Sequence, residues 1–181
     1  MKNYISLLRG INVSGQKKIK MEELRALYEG LGFENVQSYI QSGNVLFSGT
    51  ETKISVLTKK IVEAIQHKYG FEVELFITSK KELKAIISKN PFIKNEDIDI
   101  KALYVSFLSD KPDAALVKTL DPFKAPEEAF IIDKQSIYLY LANGAGRTKL
   151  TNNLFERKLK LSATTRNWRT VNKLLDMVTS G

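Results

Sequence analysis

The stretch NVQSYIQSGNVLFSG, residues 35–49, decides how this sequence is expected to fold. Two runs of β-forming residues flank Ser42-Gly43, a pair typical of a tight turn, so the stretch predicts a β-hairpin. Apolar residues recur at helical spacing before it, over residues 21–31, and after it, over residues 54–65. A glycine follows each of these two series and is expected to cap its helix in a left-handed conformation.

Two more strands complete this first pattern. An apolar run covers residues 4–8, and FEVELFIT, residues 71–78, alternates as a strand does. The order strand, helix, strand, strand, helix, strand is that of the ferredoxin-like split βαβ unit. Because the crossover makes the first two strands parallel, the loop over residues 10–19 and the hairpin turn over residues 41–44 should lie at one end of the sheet.

The second half of the chain predicts a partial copy of this order. A strand over residues 102–108 precedes a short helix, a second hairpin, and helices over residues 151–161 and 165–178. In this interpretation a helix replaces the final strand. The expected class is α+β, with two ferredoxin-like (split βαβ) halves whose mainly antiparallel sheets carry packed helices. The expected domains are residues 1–88, a linker at 89–101, and residues 102–181 ending in two helices, together one compact unit.

Composition excludes several classes of protein. The 181 residues are 43% hydrophobic and 27% charged, which is typical of a globular chain and not of disorder. Absence of cysteine excludes disulfides and thiolate chemistry, and a single histidine, His67, cannot form a metal cluster. No P-loop or dinucleotide fingerprint occurs, so no cofactor is expected. The apolar run at residues 4–8 is too short for a signal peptide or membrane span, which predicts a cytoplasmic protein without a membrane partner.

The formal net charge of +8 is concentrated at the two ends of the chain. Residues 1–20 contain five basic residues and no acidic one, and residues 143–181 contain eight basic and two acidic residues. If the fold brings these ends together, they form one positive face. The alternative is two ordinary solvated ends that do not meet.

Polar residues that follow the first strand and fill the hairpin turn are the first candidates for a ligand site. In RGINVSGQKKIK, residues 9–20, glycines let backbone N–H groups approach an anion, and the basic side chains add charge. Arg9 follows a buried strand, so its reach is more restricted than that of the lysines. The candidate ligand-binding residues of these segments are Arg9, Gly10, Asn12, Gln41, Ser42 and Asn44.

Two basic segments near the end of the chain add further candidates. NGAGRTKLTNN, residues 143–153, is a secondary basic loop with Arg147 and Lys149, and Thr151 is expected to cap the next helix. In TTRNWR, residues 164–169, a threonine would cap a helix and place Arg166, Asn167 and Arg169 in its first turn. Cations are disfavoured there, and either a bound anion or acidic side chains of the middle segment would offset the repulsion.

These segments carry a resemblance to a known family. R-G-I-N-V at residues 9–13, Y-I-Q-S-G-N-V at residues 39–45 and T-T-R-N-W-R-T-V at residues 164–171 closely resemble the bacterial family called domain of unknown function 1697. The resemblance covers essentially the whole chain and implies an α+β fold with two ferredoxin-like halves. It implies no activity.

Three functions are compatible with these observations. The first is binding of a phosphate- or carboxylate-bearing small ligand by the polar loops and arginines. The second is nucleic-acid binding through a basic face, with Tyr39, Phe47, Tyr138 and Tyr140 as candidate stacking residues. The third is an enzyme for an anionic substrate, for which the sequence names no general base. The sequence predicts no oligomeric state.

Overall fold

A computed structural model describes residues 1–180 of the chain. The residues group into two compact units, each built around one four-stranded sheet. The first unit contains residues 1–84 and the end of the chain from Lys173 on, and the second contains residues 85–172. The end of the chain therefore groups with the first unit, whereas the sequence had placed it in the second half.

The first unit has the element order that the hairpin predicted. Its strands follow one another across the sheet in the order β2-β3-β1-β4, and all neighbouring strands are antiparallel. This is the ferredoxin-like arrangement, with the third helix starting directly after the last strand. The elements are β1 Lys2–Arg9, α1 Met21–Gly30, β2 Glu34–Tyr39, β3 Asn44–Gly49, α2 Ile54–Tyr69, β4 Glu74–Ser79 and α3 Lys80–Ser88.

The glycine caps that the sequence predicts after α1 and α2 are confirmed, and α3 begins with a side-chain cap. Gly32 and Gly70 follow α1 and α2 with φ values of 83° and 76°, in the left-handed region that glycine adopts without strain. At α3, the Ser79 Oγ accepts from the Glu82 N–H at 3.2 Å, and the Glu82 carboxylate accepts from the Ser79 N–H at 2.9 Å. This reciprocal pair is a capping box.

The core of the first unit lies between its sheet and the helices α1 and α2. Tyr28 of α1 packs against Phe33 and Phe47, with ring centroids 5.9 and 5.4 Å apart. Residues on the other face of the central strand, such as Ile5 and Leu7, are also buried, with no more than 1% of their surface exposed. Strand β1 is therefore covered on both faces.

The second unit repeats this topology completely. Its strand order is β6-β7-β5-β8, again with antiparallel neighbours. Three short 3-10 segments, at Pro91–Lys94, Ile100–Ala102 and Lys118–Phe123, lie within it, the first two in or at the end of the segment expected to be a linker. Its remaining elements are β5 Leu103–Leu108, α4 Ala114–Val117, β6 Ala129–Asp133, β7 Ser136–Tyr140, α5 Asn152–Leu159 and β8 Ala163–Asn167. The last helix, α6 Trp168–Ser180, begins in the second unit and belongs to the first from Lys173 on.

The prediction that a helix replaces the final strand is wrong. Residues 163–167 form β8, which pairs with β5 from Leu108 opposite Ala163 to Tyr104 opposite Asn167. The expected capping role of Thr164 or Thr165 is also wrong, because α6 begins three residues later, at Trp168. Its cap is Asn167, whose Oδ1 accepts from the Thr170 N–H at 2.8 Å.

Within the described residues no helix is both long and apolar enough to span a bilayer.

The core of the second unit lies between its sheet and α5. Leu154, Phe155 and Leu159 of α5 pack there with Ile137 and Leu139 of β7.

Candidate functional site

Two loops of the first unit meet at one end of its sheet, as the split βαβ topology predicted. We call residues 9–20 the basic loop and residues 40–43 the hairpin loop. The Leu8 N–H, at the end of β1, donates to the Gly43 carbonyl at 2.8 Å, and the Asn12 Nδ2 donates to the Gln41 carbonyl at 2.8 Å. The polar residues of both loops are thereby held next to one another.

Asn12 is the residue that fixes the basic loop. Besides its bond to Gln41, its Nδ2 donates to the Ile19 carbonyl at 2.9 Å, and its Oδ1 accepts from the Ile19 N–H at 2.9 Å. Both amide hydrogens are therefore donated within the protein. Asn12 closes the loop and joins it to the hairpin, which leaves direct ligand contact to its neighbours.

Asn44 has a comparable role in the hairpin loop. It is fully buried, and its Nδ2 donates to the Tyr39 carbonyl and to the Ser42 Oγ, both at 3.0 Å. The loop is also packed closely, because a Cβ on Gly43 would lie 2.8 Å from the Leu8 Cβ. Of the residues expected in this loop, Gln41 is exposed and Ser42 is half-buried.

Several residues of these loops adopt strained backbone conformations. Asn12, Ser14 and Lys17 have φ values of 56°, 50° and 45°, and Ile40 has a φ of 51°. The left-handed conformation costs a residue with a side chain about 1–2 kcal/mol, and it is a clear outlier for a β-branched residue such as Ile40. Strain of this kind is held in place by surrounding structure and is concentrated at functional sites.

The basic loop carries four cationic side chains, and neither loop contains a carboxylate. Strand alternation places Arg9, which is half-buried, on the sheet face opposite α1 and α2. Lys17 is engaged, since its Nζ donates to the Glu72 carbonyl at 2.7 Å and lies 5.9 Å from the centre of the Phe71 ring. Lys18 and Lys20 are exposed, and the Lys20 Nζ lies 3.8 Å from the Glu23 carboxylate.

The basic loop leads directly into α1, whose N-terminus has no side-chain cap. Lys20 occupies the cap position, and within residues 1–180 no side chain accepts from the N–H groups of Met21, Glu22 or Glu23. Side-chain oxygens cap α3, α4, α5 and α6, and the Glu51 carboxylate accepts from two N–H groups just before α2. The start of α1 therefore presents backbone donors at the positive end of a helix dipole. Glu22 and Glu23 in its first turn complement part of that charge.

Arg166 lies in β8 of the second unit, and the expectation that it starts a helix is wrong. Only 8% of its surface is exposed, and burial lowers the pKa of its guanidinium to about 10. Its Nη1 donates to the Thr164 Oγ1 at 2.8 Å and to the Thr165 carbonyl at 3.0 Å. The equivalent residue of the first unit, opposite Ile5, is the buried Thr78, so this fold does not itself require an arginine there.

Thr165 belongs to a partly buried hydroxyl network that sequence reasoning missed. Its Oγ1 donates to the Asn152 Oδ1 at 2.6 Å and lies 2.6 Å from the Ser106 Oγ. Because the single hydroxyl hydrogen of Thr165 is already donated, Ser106 is the donor in the second bond. The network joins β5 and β8 to the first residue of α5.

The remaining candidates of the second unit are at its surface. Asn167 caps α6, and Arg169 is exposed in the first turn of that helix. Arg147 and Lys149 are exposed in the loop before α5, where Thr151 caps the helix as expected. Arg9 belongs to the first unit and Arg166, Asn167 and Arg169 to the second, so the expected residues form two sets.

Two of the aromatic residues considered for nucleic-acid stacking are unsuited to it. Phe47 and Tyr138 are buried, with 2% and 1% of their surface exposed, and the Tyr138 hydroxyl donates to the Ile86 carbonyl at 2.9 Å. Stacking of bases requires an accessible ring face. Among the described residues there is also no group of three or more histidines and carboxylates suited to a metal ion.

Comparisons with known proteins agree with the fold and assign no activity. The family described as "Protein of unknown function (DUF1697)" matches residues 1–138. Among curated proteins none matches the chain. Among solved structures the chain is similar to the conserved bacterial protein SP0830 from Streptococcus pneumoniae, with 26% identity, a TM-score of 0.75 and 98% of each chain covered. The chain belongs to this family of unknown function.

Proposed function

We propose that this member of the family of unknown function binds a small molecule through a phosphate or carboxylate group of that molecule. The site lies in the first unit and consists of the basic loop, the hairpin loop and the start of α1. Lys18 and Lys20 supply positive charge, Arg9 adds charge from the other face of the sheet where β1 ends, and Gly10, Gln41 and Ser42 supply contacts from the adjoining backbone and side chains. Asn12 and Asn44 hold the two loops in position.

One observation carries this proposal. The uncapped N-terminus of α1 opens directly from a loop that has four cations, no carboxylate and a fixed conformation. Helix N-termini bind anions because their first N–H groups point away from the helix and the dipole favours negative charge. A loop held by three hydrogen bonds from one side chain loses little conformational freedom when it binds a ligand.

Backbone NMR tests this site with inorganic phosphate as the probe. We expect saturable shifts of the amide resonances of Gly10 and of Met21 to Glu23, which no side chain caps. The amides of Asn152 to Leu154 are an internal reference, since Thr151 caps that helix. At a phosphate concentration 100 times its Kd, binding should raise the free energy of unfolding by about 2.7 kcal/mol.

A pair of charge-matched variants separates this site from general attraction of anions. K18E/K20E reverses two exposed cations of the basic loop, and K81E/K84E reverses two exposed cations of α3. Both variants change the net charge equally. We expect phosphate affinity to fall at least tenfold in K18E/K20E and less than twofold in K81E/K84E. Equal losses in the two variants, or shifts confined to residues outside the two loops, would contradict the proposal.

The same phosphate titration also monitors the candidate residues of the second unit. Arg147, Lys149 and Arg169 are exposed cations of the second unit, and their amides report whether that unit also takes phosphate. We assign the ligand to the first unit because the second unit caps the helices beside these residues with Thr151 and Asn167. No reaction is assigned to either set.

A further inference from the structure

The two loops of the proposed site expose apolar side chains in addition to their cations. Val13 in the basic loop has 58% of its surface exposed, and Ile40 in the hairpin loop has 51%. Val13 follows Asn12 and Ile40 precedes Gln41, and the hydrogen bond between Asn12 and Gln41 is 2.8 Å long. That bond brings these two apolar residues of separate loops to the same end of the sheet.

The core of the first unit does not require either residue to be apolar. Val13 and Ile40 do not belong to the core of the first unit, which contains the neighbouring Ile11. Ile40 is disfavoured twice, since it exposes apolar surface to water and has a φ of 51°, which asparagine or glycine would adopt more easily. Val13 is held in place by the bond from the Gln16 N–H to its carbonyl at 2.9 Å.

We infer that the ligand of this site is amphipathic, with an aliphatic or aromatic group next to its phosphate or carboxylate. This inference rests on the proposed function and adds the chemical class of the ligand. The anionic group binds at the start of α1, and the apolar group lies on Val13 and Ile40. Charge complementarity selects this occupant, because exposed Lys18 and Lys20 are in the same loop as Val13. A wholly polar anion would leave the apolar pair in water.

Alkyl phosphates of increasing length test the inference by titration calorimetry. Methyl phosphate and butyl phosphate carry the same charged group and differ by three methylenes. A fully buried methylene strengthens binding about fourfold, and one covered on a single side about twofold. We therefore expect butyl phosphate to bind about eightfold more tightly than methyl phosphate.

Two variants assign this preference to the apolar pair. V13T/I40N replaces both side chains with polar ones that the loop conformations accept, and V56T makes a similar change at an exposed position of α2. We expect the eightfold ratio to fall below twofold in V13T/I40N and to persist in V56T. Circular dichroism and thermal denaturation confirm that both variants are folded before titration.

The outcomes distinguish this inference from the proposed function. Binding of methyl phosphate with a ratio near one overturns the inference and leaves the proposed function standing. Failure of both phosphates to bind overturns the proposed function. A dimer in sedimentation velocity that V13T/I40N dissociates would assign the apolar pair to a second copy of the chain and would also overturn the inference.

Discussion

Ser6 and Ser106 occupy equivalent positions in the central strands of the two sheets. Ser6 lies opposite Val45 on one side and Ile77 on the other, and Ser106 lies opposite Ile137 and Thr165. Both hydroxyls are fully buried and point to the helix-covered face of the sheet, where each joins a hydrogen bond to another element. Each sheet thus has a buried hydroxyl in its central strand that bonds to a polar group of a neighbouring element.

The bond between Ser6 and Tyr28 predicts an asymmetry between two substitutions. The Ser6 Oγ donates to the Val45 carbonyl at 3.1 Å, so the Tyr28 hydroxyl donates to Ser6 at 2.9 Å. Tyr28→Phe removes one bond and should lower the free energy of unfolding by about 1 kcal/mol. Ser6→Ala leaves the buried Tyr28 hydroxyl without an acceptor and should cost about 2–3 kcal/mol.

Urea denaturation of the two single variants and the double variant measures this asymmetry. The double variant removes both polar groups and should be close to Ser6→Ala alone, or slightly more stable. Losses that simply add in the double variant would show that the two hydroxyls are not coupled, and equal losses in the two single variants would contradict the hydrogen-bond directions given above.

Gly43 and Gly10 predict different responses to the same substitution. Both have positive φ, 77° and 70°, but an alanine Cβ at Gly43 would lie 2.8 Å from the Leu8 Cβ and 2.9 Å from the Ile11 Cδ1. At Gly10 nothing lies within 4 Å. Gly10→Ala should lower the free energy of unfolding by about 1 kcal/mol through strain alone. Gly43→Ala adds overpacking and should lower it by about 3 kcal/mol. Thermal denaturation compares the two variants. Equal decreases in the free energy of unfolding would show that the side chains around Gly43 move to accommodate the added Cβ.

Asn12→Asp should loosen the basic loop, although the new side chain keeps an oxygen that can accept from the Ile19 N–H. An aspartate accepts from the Ile19 N–H but cannot donate to the carbonyls of Ile19 and Gln41, and its charge repels them. We expect hydrogen exchange of the Gln16 amide, which bonds to Val13 across the loop, to accelerate at least tenfold.

Asn35→Asp is the matched control for this change. Asn35 also has a positive φ, 52°, and its Nδ2 makes one bond to the Ser48 Oγ at 3.3 Å. It should leave exchange in the basic loop unaltered. If Asn12→Asp also leaves it unaltered, the loop is fixed by residues other than Asn12.

Tyr138 makes stability fall at alkaline pH. Burial, with a smaller effect of the Asp133 charge, raises the pKa of Tyr138 to about 12, whereas an unfolded tyrosine ionises near pH 10. Between these values the folded protein retains a proton that the unfolded chain has lost, so the free energy of unfolding decreases as pH rises.

Comparison of the wild type with Tyr138→Phe isolates this contribution. The variant loses the bond to the Ile86 carbonyl and should be less stable at pH 8. From pH 9 to pH 11 its free energy of unfolding should decrease less steeply than that of the wild type, because the contribution of Tyr138 is absent and the other groups titrate equally in both proteins. If the free energies of unfolding of the two proteins decreased in parallel over this range, Tyr138 would ionise as readily in the folded protein as in the unfolded chain.

The first unit could be predicted from sequence because its signals are local and agree. Apolar spacing, glycine caps and a capping box at Ser79 and Glu82 all indicate the same boundaries. The final strand of the second unit has no such pattern. Its buried residues on one face, Thr164 and Arg166, are polar, and two adjacent possible capping residues, Thr164 and Thr165, favour a helix start too early.

A repeat in the sequence contained the missing information. Tyr4-Ile5-Ser6-Leu7-Leu8 in β1 corresponds to Tyr104-Val105-Ser106-Phe107-Leu108 in β5, and the strand pairings are equivalent. Alignment of these two runs would have predicted a last strand opposite β5, since β4 lies opposite β1.

The site was predictable in its location and not in its roles. Topology placed the two loops together because it depends only on strand order. The roles of Asn12 and Asn44 depend on which carbonyl each amide reaches, and the uncapped start of α1 depends on the absence of an acceptor in the folded chain. Neither property has a sequence pattern.

The two hairpins have the same anchor and different lengths. The Leu8 N–H bonds to the Gly43 carbonyl at 2.8 Å, and the Leu108 N–H bonds to the Gln135 carbonyl at 2.9 Å. Four residues connect the strands in the first unit and two, Lys134 and Gln135, in the second. The second hairpin thus shows that a sheet of this topology forms with a two-residue turn. Replacing residues 40–43 with Lys-Gln would show whether the first sheet also folds without its longer hairpin loop.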